Sequence, residues 1–326
     1  MIEKILKELT DERIEKEISY VYQLDLPDNA EKWVKSYEKI GGRNEFIWKW
    51  LFVTFSEFYL PVFSKKHKNS LLLVKFLWTM FVVLLDDVAD KDQNKKLLNN
   101  LIKIPLRQEN KEELKKLSKK DKKYFDFAKN IWEEIHKIIS EFPNYKNLKE
   151  ILYYDIKQVL NVMEYSLLIN KNPILINKAE ANLFFPYNMS LFVYSDFDLL
   201  CSNSKSLGYV GIIRELVFKM QRIARIGNWV STWEREVGEK DFSSGVFIYA
   251  LDRGFVKIED LEKEKDEVVI RKIKKSKAEE EMFEEWESNY KEIKKISKDI
   301  DIIDRKKLIS SCEKLLILHL SSKNYK

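Results

Sequence analysis

Apolar residues recur at intervals of three and four through most of the chain, the period that lays one face of a helix against a core. That pattern predicts helices at 2–24, 28–60, 69–90, 121–141, 145–170, 180–201, 206–237, 242–253, 258–297 and 301–322. The predicted breaks coincide with residues that disfavour helix: Gly41-Gly42, Pro61, Pro105, Pro143, Pro173, Gly208 to Gly211, Gly238 and Gly254. Pro186 lies inside an otherwise helical run. Because proline lacks an amide N–H and crowds the preceding turn, a kink or break is expected near Phe185. Lys91 to Lys123, rich in Lys, Asn and Glu, reads as a loop with a short solvated helix, and Lys257 to Glu281 as an exposed charged helix face.

Composition agrees with the pattern. With only 8 Gly and 6 Pro in 326 residues, the chain 1–326 is expected to form one all-α domain, a single-domain helical bundle with an ample core. No internal repeat or interdomain linker stands out. The most apolar segment, Leu71 to Leu85, holds Lys75, is shorter than the roughly 20 residues a membrane span needs, and runs straight into Asp86 and Asp87. It therefore reads as a core helix. The opening MIEKILKELTDERIEKEI is charged throughout, unlike a signal peptide, and Cys201 and Cys312 match neither a disulfide framework nor zinc-ligand spacing. A reducing, cytoplasmic setting is expected. The 58 basic and 53 acidic residues, net charge +5, are dispersed, which gives no nucleic-acid footprint but suits an anionic substrate.

Two polar clusters stand out against this background. DDVAD, at Asp86 to Asp90, ends the apolar run and places Asp86, Asp87 and Asp90 on about one helical turn, expected to project from one face. Like charges at such spacings weaken a helix by roughly 0.2–0.5 kcal/mol per pair, so a hard divalent cation would offset them. In NWVSTWERE, Asn228, Thr232 and Glu236 recur every four residues and set an amide oxygen, a hydroxyl and a carboxylate along a stripe of about 12 Å. Mg²⁺ takes oxygen ligands, keeps several waters and is commonly held by one or two carboxylates plus substrate phosphates. The clusters lie some 140 residues apart, and can meet only if helices 69–90 and 206–237 are neighbours in a bundle.

Together these residues resemble the class I terpene synthases. That family carries a DDxxD motif, matched by Asp86, Asp87 and Asp90, and an (N/D)xxx(S/T)xxxE motif, matched by Asn228, Thr232 and Glu236. Arg225, three positions before Asn228, and the segment EREVGEKD are further points of likeness. The resemblance implies a helical bundle of the class I terpenoid synthase type and three Mg²⁺ ions bridging these ligands to the diphosphate of a linear isoprenoid, farnesyl or geranylgeranyl. Loss of diphosphate would start carbocation cyclisation in an apolar cavity. Asp86 is then the first choice for a bridging ligand and Arg225 for a catalytic diphosphate contact. Phe76, Thr79 and Val83, reached by following the Asp86 and Asp90 face back through the helix, are expected to line the cavity with Trp229; Phe184, Phe185 and Tyr187 are weaker candidates. The isoprenyl diphosphate is the expected partner, and a homodimer is allowed for.

The chain departs from that pattern in two places. A diphosphate-sensing Arg common in the family would fall near Asn182, yet no Arg or Lys occurs from Ala179 to Asn203. Arg214, Arg222 and Arg225 are the candidate substitutes, with Arg225 favoured by its place on the metal stripe. A C-terminal Arg-Tyr pair of many bacterial members is also absent, leaving Arg305 as a weak stand-in. Rival readings are a chain-elongating isoprenyl diphosphate synthase, a squalene-synthase-like condensing enzyme and a non-catalytic helical binding protein. The first two usually carry a second aspartate-rich motif, and Gly41-Gly42-Arg43 only faintly echoes the elongating enzymes' basic site. Asp196-Phe197-Asp198-Leu199 lacks the last aspartate of the DxDD motif that protonation-initiated cyclases use.

Overall fold

The structure, a computed structural model, describes residues 1–62, 65–323 and 325. Among them every regular element is helical. The chain opens with α1 (Ile2–Glu8) and α2 (Asp11–Tyr22), and Thr10 caps α2 by accepting the Arg13 N–H. The stretch expected as one helix over 28–60 is two, α3 (Asp28–Tyr37) and α4 (Glu45–Glu57), parted at Gly41-Gly42, with Asn44 capping α4. Next comes α5 (Lys68–Asp86), apolar on every side and buried almost throughout from Leu71 to Leu85.

After α5 the backbone widens into a π-helical turn, Asp87–Lys91. The following lysine-rich stretch differs from its expectation: it forms α6 (Lys95–Leu101) and α7 (Lys111–Lys115), and Leu97, Leu98 and Leu101 bury an apolar face of α6 against α8 (Lys119–Ser140). Then follow α9 (Tyr145–Lys171) and α10 (Lys178–Phe184). The break expected at Pro186 is present: a 3-10 turn spans Phe185–Met189, and Ser190, in the left-handed region at φ 57°, redirects the chain into α11 (Leu191–Leu200).

The longest helix is α12 (Val210–Gly238), and α13 (Gly245–Asp252) returns beside it. The charged run 258–297 is three helices and not one: α14 (Ile258–Lys263), α15 (Asp266–Ser276) and α16 (Ala278–Ile296). Its outer face is charged, but Leu261, Val269, Ile273 and Trp286 are buried beneath it. Last comes α17 (Arg305–Ser321), which approaches α12 closely at Gly227, where a Cβ would stand only 3.0 Å from the His319 ring.

Five helices close into a ring. Successive contacts run from α4 to α5, α5 to α11, α11 to α12, α12 to α17, and α17 back to α4. The other helices pack outside it, α8 against α5 and α16 against α12 among them. No helix among the described residues is long and apolar enough to cross a membrane. Cys201 and Cys312 are buried free thiols.

Candidate functional site

Inside the ring lies a cavity of about 230 Å³, many times the roughly 15 Å³ that one buried water needs. All five ring helices line it. Its walls are largely apolar and aromatic, with Phe55, Phe58, Leu60, Val82, Val83 and Tyr194 among them. Its rim is polar. Asp86 and Asp90 come from the end of α5 and its π turn, Arg225, Asn228, Thr232 and Glu236 from α12, and Asp241 from the loop after α12. The two sequence clusters therefore face one opening, with α5 and α12 bridged by α11, which packs on both.

The motif spacing predicts that the three aspartates share one face, and they do not. The Asp92 N–H bonds the Asp87 carbonyl five residues back, so the turn holds an extra residue and its side chains fan apart. Asp86 accepts from Asn188 Nδ2 at 3.2 Å and lies 3.5 Å from Arg43 Nη2. Asp87 is not part of the cavity lining: its Oδ1 is 2.8 Å from Arg43 Nη2, and Tyr37 donates to its Oδ2 at 3.5 Å. Asp90 Oδ1 accepts from Ser166 at 2.5 Å and from Asn170 at 3.1 Å, both on α9. Burial, reinforced by Asp86 and Asp241, holds the Asp90 carboxyl well above the usual carboxylate range.

On α12 the stripe is continuous. Arg225 Nη1 donates to Asn228 Oδ1 at 2.9 Å, and the Thr232 hydroxyl stands 2.8 Å from the Asn228 carbonyl and 2.6 Å from Glu236 Oε1. Glu236 Oε2 and Arg225 Nε are buried without a well-directed hydrogen bond among the described residues, although the Ser244 side chain lies near Glu236. Burial, then Asp241, raises the Glu236 pKa; burial raises that of Asp241 as well, and it lowers that of Arg225. A buried carboxylate oxygen left without a partner costs about 1–3 kcal/mol or more, so this rim gains from an arriving cation.

Of the expected cavity residues, Thr79 and Val83 line the wall, and Phe76 and Trp229 do not. Phe76 packs edge-on against Trp48 and Phe52, between α5 and α4 and off the cavity lining. Trp229 forms a shelf with Phe185 beneath Arg225, whose Cζ lies 4.9 Å from the indole and 5.6 Å from the Phe185 ring. Phe184 is exposed and Tyr187 stacks on Phe192, both away from the cavity. Among the candidate sensors, Arg214 is held by Asp155 and Arg222 by Glu285, Tyr249 and Asn182, and neither lines the cavity. Arg305, at the start of α17, lies elsewhere and does not line the cavity. Arg225 alone of these reaches the rim.

The rim also holds cations that the motif reading passes over: Arg43, Lys91 and Arg235. Arg43 follows Gly41-Gly42, the one signal that could have found it. Asp241 sits within the quoted EREVGEKD segment, but nothing in its spacing from Glu236 marks it.

No protein-family model matches the chain, and no curated protein matches it. No group of three or more Asp, Glu, His or Cys side chains is disposed to hold a single metal ion among the described residues. Oxygen ligands gathered in ones and twos around an opening suit a Mg²⁺ site completed by substrate phosphates better than a protein-only cage.

Proposed function

We propose that the protein is a class I terpene synthase, a cytoplasmic Mg²⁺-dependent lyase that ionises a linear isoprenyl diphosphate and cyclises the resulting carbocation. The observation that carries this reading is the convergence of two oxygen-rich clusters, distant in sequence, on the rim of one largely apolar cavity. The donor set fits the metal, since every candidate ligand offers oxygen and Glu236 Oε2 is buried without a well-directed hydrogen bond among the described residues. Asp86 and Asp90 on one side, and Asn228, Thr232 and Glu236 on the other, would hold the ions. When bound, Mg²⁺ supplies Lewis-acid stabilisation of the departing diphosphate.

The chain's own residues supply the rest. Arg225, packed on Trp229 and Phe185, presents a fixed guanidinium to the rim for diphosphate oxygens, while Arg43, Lys91 and Arg235 also line the rim but are paired with carboxylates, Arg43 with Asp87 and the other two with Glu239. Walls such as Phe55, Phe58 and Tyr194 exclude water and turn aromatic faces toward a carbocation. The test is incubation of the protein with Mg²⁺ and geranyl, farnesyl or geranylgeranyl diphosphate in turn, with products followed by gas chromatography and diphosphate by assay. A cyclic product from one substrate is expected. Products only on addition of isopentenyl diphosphate would establish chain elongation instead, and no turnover with any mixture would overturn both.

A further inference from the structure

One part of the cavity wall is not hydrocarbon. Lys75 stands eleven residues before Asp86 on α5, about 16 Å along the helix, where both its side chain and that of Asp198 are only 1% exposed. Their Nζ–Oδ1 separation is 2.6 Å, and both residues line the cavity. Asp198 Oδ2 accepts the Leu60 N–H at 3.0 Å, which ties the start of the α4–α5 connection to α11. One turn along α5, the Thr79 hydroxyl lies 2.5 Å from the Tyr194 hydroxyl, and Thr79 also donates to the Lys75 carbonyl at 2.8 Å. The cavity thus joins a partly exposed rim, where the Asp86 side chain is 30% exposed, to a buried polar floor.

Stability does not account for the pair. Exchanging a buried ion pair for apolar residues of similar volume is often neutral or stabilising by about 1–4 kcal/mol. Holding the Leu60 N–H needs an acceptor, and a lysine within Leu71–Leu85 adds nothing to that role. An ammonium has three N–H groups, and its contact among the described residues is the ion pair with Asp198, whose Oδ1 makes no well-directed hydrogen bond, so donors remain for an oxygen in the cavity. The Asp198 carboxylate also cancels a positive charge that would otherwise repel a carbocation.

We infer that Lys75, Asp198, Thr79 and Tyr194 seat one water at the inner end of the cavity, and that the reaction ends by its capture, giving a terpene alcohol. This rests on the proposed ionisation of an isoprenyl diphosphate. In the capture step the water oxygen forms a C–O bond to the cationic carbon, one O–H bond breaks, and the proton passes to the Asp198 carboxylate. The carbocation accepts the electron pair, so no oxidant or reductant is needed. Burial already raises the Asp198 pKa, which makes it a better acceptor for that proton.

The test runs the protein with Mg²⁺ and whichever of the three prenyl diphosphates it consumes in ¹⁸O-labelled water, with chiral gas chromatography and mass spectrometry. A single stereoisomer of an alcohol carrying one ¹⁸O is expected. Hydrocarbon alone, or a racemic labelled alcohol formed in bulk water, overturns this inference and leaves the synthase reading intact. No turnover of any prenyl diphosphate overturns both. The paired variant Lys75→Met with Asp198→Leu removes both charges together and is read by product ratio, the alcohol-to-hydrocarbon ratio falling at least tenfold. An unchanged ratio assigns the oxygen to another part of the cavity and overturns the assignment. If that variant does not fold, Tyr194→Phe is read in the same way.

Discussion

Arg43 and Asp87 face each other beside the cavity rim, with Nη2 2.8 Å and Nε 3.0 Å from the same carboxylate oxygen. The same guanidinium reaches toward Asp86 at 3.5 Å. One arginine therefore neutralises two members of the DDVAD motif, and any cation that binds Asp86 competes with it. Arg43→Gln is expected to raise the affinity for Mg²⁺ alone severalfold in a calorimetric titration. It should also lower stability by about 1–3 kcal/mol, since Asp87 loses its main partner. An unchanged Mg²⁺ affinity would show that Asp86 does not receive the ion.

Asp86→Ala and Glu236→Ala each remove a rim ligand from opposite sides of the opening. Each should reduce diphosphate release by at least about 100-fold, with an unchanged far-ultraviolet circular dichroism spectrum. Full activity in both variants would exclude this rim as the site.

Asp196 offers a test of pH dependence away from the rim. It is 2% exposed, and its Oδ2 has no hydrogen-bond partner among the described residues. Burial, with the adjacent Asp155, holds its pKa well above the ordinary range, while Arg214, 2.9 Å from Asp155, is 3.9 Å from Asp196. A carboxyl whose pKa is raised by folding binds more protons folded than unfolded. Stability is therefore lost as pH rises from the unfolded value, about 3.9, through the raised folded one. Asp196→Asn should flatten that loss, with a melting temperature above the natural chain's at alkaline pH and a smaller difference in acid. Parallel melting curves across pH would refute the assignment.

Gly245 starts α13 where a Cβ would lie 2.1 Å from the Trp229 indole. Gly245→Ala must push the shelf that supports Arg225, at a cost of about 1–3 kcal/mol. Thermal melting measures the cost. A weakened response to inorganic pyrophosphate with Mg²⁺ would report the displaced arginine.

How much of this was legible in the chain varies by element. Helical period and the glycine and proline breaks foretold an all-α fold and the Phe185 break. They missed the turn between α15 and α16, where Lys277 takes φ 59° without a glycine. Following the Asp86 face back in steps of three, four and three arrives at Phe76, ten residues away, which at 3.6 residues per turn is about 80° off line. Eleven residues, reaching Lys75, is about 20° off. The wall accordingly passes through Val82, Thr79 and Lys75. Asp87 was misplaced because a π turn leaves no mark in residue spacing. Asp241 became visible only when its loop was brought to the rim, and Arg43, marked in the chain only by Gly41-Gly42, gained its partners Asp86 and Asp87 there.

The ring has a consequence for how the cavity comes into being. Its closing contact is between α17 and α4, and the Trp50 indole N–H bonds the Leu318 carbonyl at 3.2 Å across 268 residues. Loops of that span close slowly, because their entropy is lost before the contact repays it. Until α17 docks, four helices form an open trough whose apolar lining, later the inner wall, faces water. During synthesis α4 can meet α17 only after every element between them has been made, and the cavity is sealed only once that contact forms.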